Sequence, residues 1–303
     1  MIQDSHTRTR LRGVAKSMRI PFLVLSPVCV FLGYATASVF VHPDAHMVLL
    51  VLLGAVAAHV SVNAFNEYLD FTSGLDLKTT RTPFSGGSGA IPASPEIAGA
   101  VLMTAVVSLG VTIFVGGYMV YRAGAAIVPI GVAGIVIILA YTGWITRHPV
   151  ICLLAPGLGF GPLMVIGTHV SLTGEYSMLA LAASLIPMFL VSNLLLLNQY
   201  PDVEADRSIG RNHWPIAFGR RNSNRVYAGF ALAAGATILI AIALGYFPYT
   251  SAAALLTLGG AWVAWYGAFK HGGHIHKLTP YLGVNVAVAV LTPLALGITL
   301  AAA

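Results

Sequence analysis

Long apolar runs broken by short polar connections set the pattern of this chain. Windows near 20 residues, about the length that crosses a bilayer core, fall at 21–41, 46–66, 97–120, 124–142, 149–169, 177–199, 224–246, 250–269 and 279–302. The pattern predicts an all-α polytopic membrane protein with nine transmembrane helices around a central cavity. Residues 1–18 read as a basic, loosely ordered cytoplasmic tail, and 19–303 as a single transmembrane domain.

The basic residues orient these spans. With the N-terminus in the cytoplasm, Arg122 alone of the 16 lysines and arginines faces outward, which is the positive-inside distribution of a multi-pass protein of the cell (inner) membrane. Arg19, at the entrance of the first span, reads first as a positive-inside anchor and second as a diphosphate contact. The basic start could pass for a secretory signal, but no Ala-x-Ala cleavage site interrupts the apolar run that follows, so an uncleaved first helix is expected.

A hydrophobic content of 57% against 9% charged residues excludes ordinary soluble usage. The net charge of +6 follows from topology and attraction to anionic lipid, and gives no case for nucleic acid. Cys29 and Cys152 lie in separate spans and read as small buried residues. His271, His274 and His276 have no acidic company and read as a solvated turn.

The remaining charge is concentrated. Six of the ten acidic residues fall in two stretches, Asn63 to Arg81 and Asn198 to Arg211, each at the cytoplasmic exit of an even-numbered span. Asn66 and Asp70 are four apart, as are Asn198, Asp202 and Asp206, which places each set on one face where the helix continues. Gly74 and Pro201 mark where those helices end or kink. The matched placement predicts two parallel four-helix repeats plus one helix, with the acidic stretches facing each other across the cavity. The glycine-rich segment from Arg81 to Pro92 is placed to form a lid, and the Gly and Pro residues of the fifth span (Pro156, Gly157, Gly161, Pro162) point to close packing or a kink beside the cavity.

Opposed carboxylates near a membrane need cationic partners. Hard oxygen donors without clustered Cys or His favour Mg²⁺, which shares its coordination with substrate phosphates. Lys78, Arg81, Arg147, Arg207 and Arg211 suit the anion such a metal brings. An apolar cavity with this polar mouth fits an amphiphile with a diphosphate head.

Asn66-Glu67-Tyr68-Leu69-Asp70 with Gly74 and Asp76, and Asn198 with Asp202, Asp206, Gly210 and Arg211, resemble the paired aspartate-rich motifs of the UbiA-type intramembrane polyprenyltransferases. The resemblance covers nearly the whole chain. It implies Mg²⁺-dependent transfer of a polyprenyl group from polyprenyl diphosphate to a small aromatic acceptor within the lipid bilayer. Asn66, Asp70, Asp76, Asn198, Asp202 and Asp206 would then hold metal and diphosphate, with the four aspartates as catalytic metal ligands. Lys78, Arg81, Arg147 and Arg211 become diphosphate contacts, and Tyr68, Tyr141 and Tyr200 aromatic faces for an allylic cation. The run from Gly161 to Gly167 and the spacing from Asp70 to Asp76 resemble the menaquinone branch, which prenylates dihydroxynaphthoate. Glu67, Gln199 and Pro201 depart from its usual residues. A prenyl-diphosphate-cyclising enzyme of the same superfamily and a cation-coupled transporter are the alternative readings.

Overall fold

The computed structural model describes residues 2–303, with side chains from Arg10 onward, so the side chain of Arg8 in the expected tail lies outside the described residues. The fold is all-α. Its elements are α1 (Ile2–Ser17), α2 (Leu25–Ser38), α3 (Ala45–Thr72), α4 (Pro95–Ala123), α5 (Ala125–Ala140), α6 (Pro149–Thr173), α7 (Met178–Asn198), α8 (Trp214–Ala243), α9 (Tyr249–His271) and α10 (Ile275–Ala301).

Seven of these helices, α3, α4 and α6 to α10, are long and apolar enough to cross a membrane, and the bent pair α1/α2 raises the number to eight. The fourth expected span is the short apolar helix α5, below crossing length by itself. The first is shortened by a break at Arg19, which takes a left-handed conformation at φ 53° and bends the chain by 46° between Arg10–Phe22 and Leu25–Ser38. The segment expected as a loose tail is helical instead, and Val14 packs among Ala64, Ile91 and Ile97.

Two packing modes hold the bundle. α7 is the central post: Ile186, Leu190, Leu196 and Leu197 pack with residues of α2, α8 and α10 in the largest core cluster. The outer faces carry exposed apolar side chains such as Leu49, Phe114, Leu239 and Leu256, as a lipid-facing surface requires. Hydrocarbon outside gives no hydrophobic drive between helices, so close contact between small residues supplies the attraction. Along α6, a Cβ on Gly157 would collide with the Met188 carbonyl and the Ser192 hydroxyl, and one on Gly161 with the Ser184 carbonyl. The same helix has Pro156 and Pro162 in its interior and a π-helical stretch over Gly159–Ile166. These prolines remove ladder hydrogen bonds and re-aim the helix.

The contact between α6 and α7 is therefore made of glycine. Gly161→Leu forces the two helices apart and is expected to cost about 1–3 kcal/mol of stability, read as a lower melting temperature of detergent-solubilised protein; an unchanged melting temperature counts against this contact.

Candidate active site

Helix α3 ends at Thr72, Gly74 turns the chain at φ 76°, and Asp76 sits in the single 3-10 turn Leu75–Leu77. Helix α7 ends at Asn198, and Asp202 stands at the start of the short helix Val203–Arg207 with no side-chain capping hydrogen bond to it. These breaks let acids from different turns converge. Asn66, Asp70, Asp76, Asn198, Asp202, Asp206, Arg211 and Arg19 all line one cavity of about 410 Å³.

Arg211 joins the two stretches. Its guanidinium donates from Nη2 to Asp70 Oδ1 and, at 2.8 Å, from Nη1 to Asp206 Oδ1. Asp206 also pairs with His213 Nε2 at 3.0 Å. Glu67 makes a second knot. Wholly buried, it accepts from Arg19 Nε at 3.0 Å, from Ser88 N at 2.7 Å and from Ser88 Oγ at 2.6 Å. Asn66 accepts from Arg19 Nη2 at 3.2 Å, and Asn63 donates to the Met18 carbonyl at 3.0 Å. The first acidic stretch thus grips the Arg19 break, and the departure at Glu67 acquires a physical role.

The segment from Arg81 to Gly89 lies over the cavity, which Phe84, Ser85, Gly86 and Gly87 help to line. Gly86 N donates to Asp202 Oδ2 at 3.1 Å, and Arg81 Nη2 to the Asp76 carbonyl at 3.0 Å. Gly87 has φ 72°, and a Cβ there would come within 2.8 Å of Asp76 Oδ1. Backbone therefore approaches the acids where side chains have no room.

Burial, with Asp206 adding to it, pushes the Asp202 carboxyl up to about 7; burial, then Glu67 and Asp70, push Asp76 up to about 7. Asp206 goes the other way: burial opposes its ionisation, but His213 and Arg211 hold it below the usual carboxylate range. Several oxygens at this end are sealed from solvent without a hydrogen-bond partner: Asp76 Oδ2, Asn198 Oδ1, Gln199 Oε1 and Asp202 Oδ1. Among the described residues no three His, Cys, Asp or Glu converge to hold a metal on their own, and Arg211 takes up Asp70 and Asp206. The unpartnered oxygens of Asp76, Asn198 and Asp202 are nonetheless the hard donors that Mg²⁺ accepts.

The other end of the cavity is apolar, lined by Val51, Val115, Met119, Ile127 and Met164. Gly116, Gly131 and Gly134 also line it, and a Cβ on any of them would meet nothing within 4 Å. A polar mouth on a greasy cavity accommodates an amphiphile. The model of the UbiA prenyltransferase family matches residues 24–277.

The chain belongs to the UbiA prenyltransferase family. It is a prenyltransferase and a multi-pass membrane protein. It is 29% identical over 215 residues to 1,4-dihydroxy-2-naphthoate octaprenyltransferase of Bacillus subtilis, covering 70% of this chain and 68% of that one. A UbiA homologue from Archaeoglobus fulgidus bound to DMAPP and Mg²⁺ shares the fold, with TM-score 0.65, 15% identity, and coverage of 97% and 98% of the two chains. A structure concerned with digeranylgeranylglyceryl phosphate synthase also shares it, with TM-score 0.67, 16% identity, and coverage of 97% and 99%.

In this family member, the sequence-predicted residues fall into two groups. The four aspartates, Asn66, Asn198, Arg211 and Tyr141 line the cavity. Lys78, Arg81, Arg147 and Tyr200 are not on its wall. Lys78 is exposed and donates to Ser208 Oγ at 3.3 Å, Arg147 is exposed, and Arg81 packs against Gly89. The Tyr200 expectation is corrected: its ring is buried in the core against Gly272, and its hydroxyl donates to Asn224 Oδ1 at 2.7 Å. Sequence reasoning placed Arg19 first as a membrane anchor and did not single out His213, which has no spacing signal.

Glu67→Ala leaves Arg19 and Ser88 without their shared acceptor, and about 1–3 kcal/mol of stability is expected to go with it. Limited proteolysis should then cut the 79–89 segment faster; unaltered cleavage and melting would show that Glu67 does not tether it.

The raised carboxyls set a pH dependence. Because Asp76 and Asp202 titrate near 7 when folded and near 4 when unfolded, the folded state loses stability as pH rises between those values. Relative to the Asp76→Asn/Asp202→Asn variant, the melting temperature of metal-free protein should fall from about pH 5 to about pH 8. A pH-independent difference rejects the shift.

Proposed function

We propose that this prenyltransferase transfers a polyprenyl group from its diphosphate to a small hydroxylated aromatic acid of the dihydroxynaphthoate type, with Mg²⁺, at the cytoplasmic face of the inner membrane. One observation carries the reading: unpartnered oxygens of Asp76, Asn198 and Asp202 lie beside Arg19 and Arg211 at the polar end of an otherwise apolar cavity. The naphthoate octaprenyltransferase relative supports the acceptor class, and the homologue bound to DMAPP and Mg²⁺ supports the donor and metal. In this reading the chain crosses the membrane nine times, with α1/α2 and α5 each forming one crossing, and residues 19–303 act as one domain built from two four-helix repeats and a final helix.

The residues divide the work by chemistry. Asp76, Asn198 and Asp202 hold the metal, with Asp70 and Asp206 joining directly or through water. When bound, Mg²⁺ supplies Lewis-acid charge to the departing diphosphate. Arg19 and Arg211 are the cations on the cavity wall that take diphosphate oxygens. Moving Arg211 onto the diphosphate frees the carboxylates it now holds. The Tyr141 ring faces the carbon that becomes an allylic cation, and the apolar wall keeps water from it until the aromatic ring attacks. The 79–89 segment, fastened to Asp202 and Glu67, covers the mouth. Lys78, Arg81 and Arg147 serve the approach of the anion, outside the cavity.

Asp202→Ala and Asp76→Ala are each expected to lower turnover about 100-fold or more while the protein stays folded in the membrane. Chelation should abolish turnover, and Mg²⁺ should restore it. The assay is mass analysis of lipid products after membranes receive labelled prenyl diphosphate and a panel of aromatic acids. A cyclised terpene formed without acceptor would overturn the transfer reading, and full activity in both variants would overturn the metal-holding role of Asp76 and Asp202.

A further inference from the structure

Away from both acidic stretches, the wall of the cavity carries a buried imidazole. His59 lies seven residues before Asn66 on α3, roughly 10 Å deeper along the helix axis. It is only 6% exposed and lines the cavity. Its Nδ1 lies 2.9 Å from the Ser26 hydroxyl of α2, and its ring stands edge-to-face on Phe160 of α6, with centroids 4.7 Å apart at 76°. Among the described residues Nε2 has no hydrogen-bond partner, and it is not among the atoms sealed from solvent.

The neighbours sharpen the assignment. Phe22, Leu25 and Phe160 line the same cavity from α6 and the start of the first span, so the wall beside His59 is aromatic and aliphatic. Imidazole taken out of water costs free energy unless its polar atoms are used, and Ser26 uses one of the two. A polyprenyl chain offers only carbon and hydrogen to the other. A hydroxylated aromatic offers an oxygen that both donates and accepts, together with a flat face for phenylalanine edges. Whichever tautomer Ser26 fixes, Nε2 either donates to that oxygen or accepts from it.

We infer that His59 is the anchor of the aromatic acceptor: Nε2 hydrogen-bonds a ring hydroxyl of the acceptor, Ser26 fixes the imidazole, and Phe22 and Phe160 bound the ring. This assignment rests on the prenyl-transfer reading and adds to it a recognition group outside the metal and diphosphate residues. It separates the two substrates in space, with the diphosphate at the acids and the acceptor hydroxyl two turns below Asn66. His59 is a binding residue in this account and takes no proton from the reacting carbon.

The test is steady-state kinetics of the full chain with geranyl diphosphate, Mg²⁺ and a dihydroxynaphthoic acid, in wild type, His59→Phe, His59→Gln and Ser26→Ala. His59→Phe should raise KM for the acceptor about ten-fold, as loss of one buried hydrogen bond does, and leave KM for the donor within about two-fold. His59→Gln, which keeps a polar atom, should recover part of the loss, and Ser26→Ala should fall between. Competitive inhibition by a pair of naphthoic acids, one hydroxylated and one with that oxygen methylated, adds a readout that a purely structural bond between α2 and α3 would not move. Wild type should prefer the hydroxylated acid, and His59→Phe should lose that preference. An unchanged acceptor KM and preference in folded His59→Phe, or a rise confined to the donor KM, overturns the inference. Absence of any prenylated aromatic product from wild type would instead reject the transfer reading itself.

Discussion

A single guanidinium, shared by one carboxylate from each acidic stretch, is the interaction on which the polar end of the molecule depends. Arg211 neutralises Asp70 from one acidic stretch and Asp206 from the other, where two opposed clusters would otherwise repel across a medium of low dielectric. What it leaves is an imbalance. Glu67, Asp70, Asp76, Asp202 and Asp206 outnumber Arg19 and Arg211 at this end, and Asp76 and Asp202 carry the excess as oxygens without partners. Their upward titration is the same fact seen as protonation: charge is costly there until a cation arrives.

The Arg19–Glu67 pair extends this arrangement to the bundle. Glu67 faces inward from α3 and binds both the break between α1 and α2 and the backbone of the covering segment. Gly86 brings that segment to Asp202 as well. The cover is therefore fastened to both acidic stretches, and any change in charge at either one is felt by its backbone. Ordered loop and ordered acids are one structural unit.

Much of this was legible in the chain. Apolar windows located the helices α2 to α10 but not the polar α1, and the Asn-x3-Asp spacing located the cavity mouth, because burying charge in a membrane leaves a strong composition signal. The differences between expectation and structure have physical sources. α5 is apolar enough but short, which a window over 124–142 hides by including its flanks. Tyr68 and Tyr200 attracted attention by standing inside the motifs, yet Tyr68 lies two residues past Asn66, about 200° around α3, and packs against a core cluster, while Tyr200 follows the end of α7 and is buried in the core; Asn66 and Asn198 line the cavity. Arg19 resembled any interfacial arginine, since its left-handed backbone and its grip on Glu67 depend on residues far along the chain. Lys78 and Arg147 have the right charge and neighbourhood, but side-chain exposure is not written in spacing.

The three wall glycines at 116, 131 and 134 bear on descent as well as on shape. Most positions facing a packed interior resist mutation because any added atom displaces a neighbour. Here an added Cβ would meet no atom within 4 Å. Single-nucleotide changes at these codons alter the volume of the apolar end while the acidic mouth, built on other helices, stays as it is. A lineage carrying this scaffold can thus reshape the apolar end of its cavity one codon at a time, without passing through misfolded ancestors.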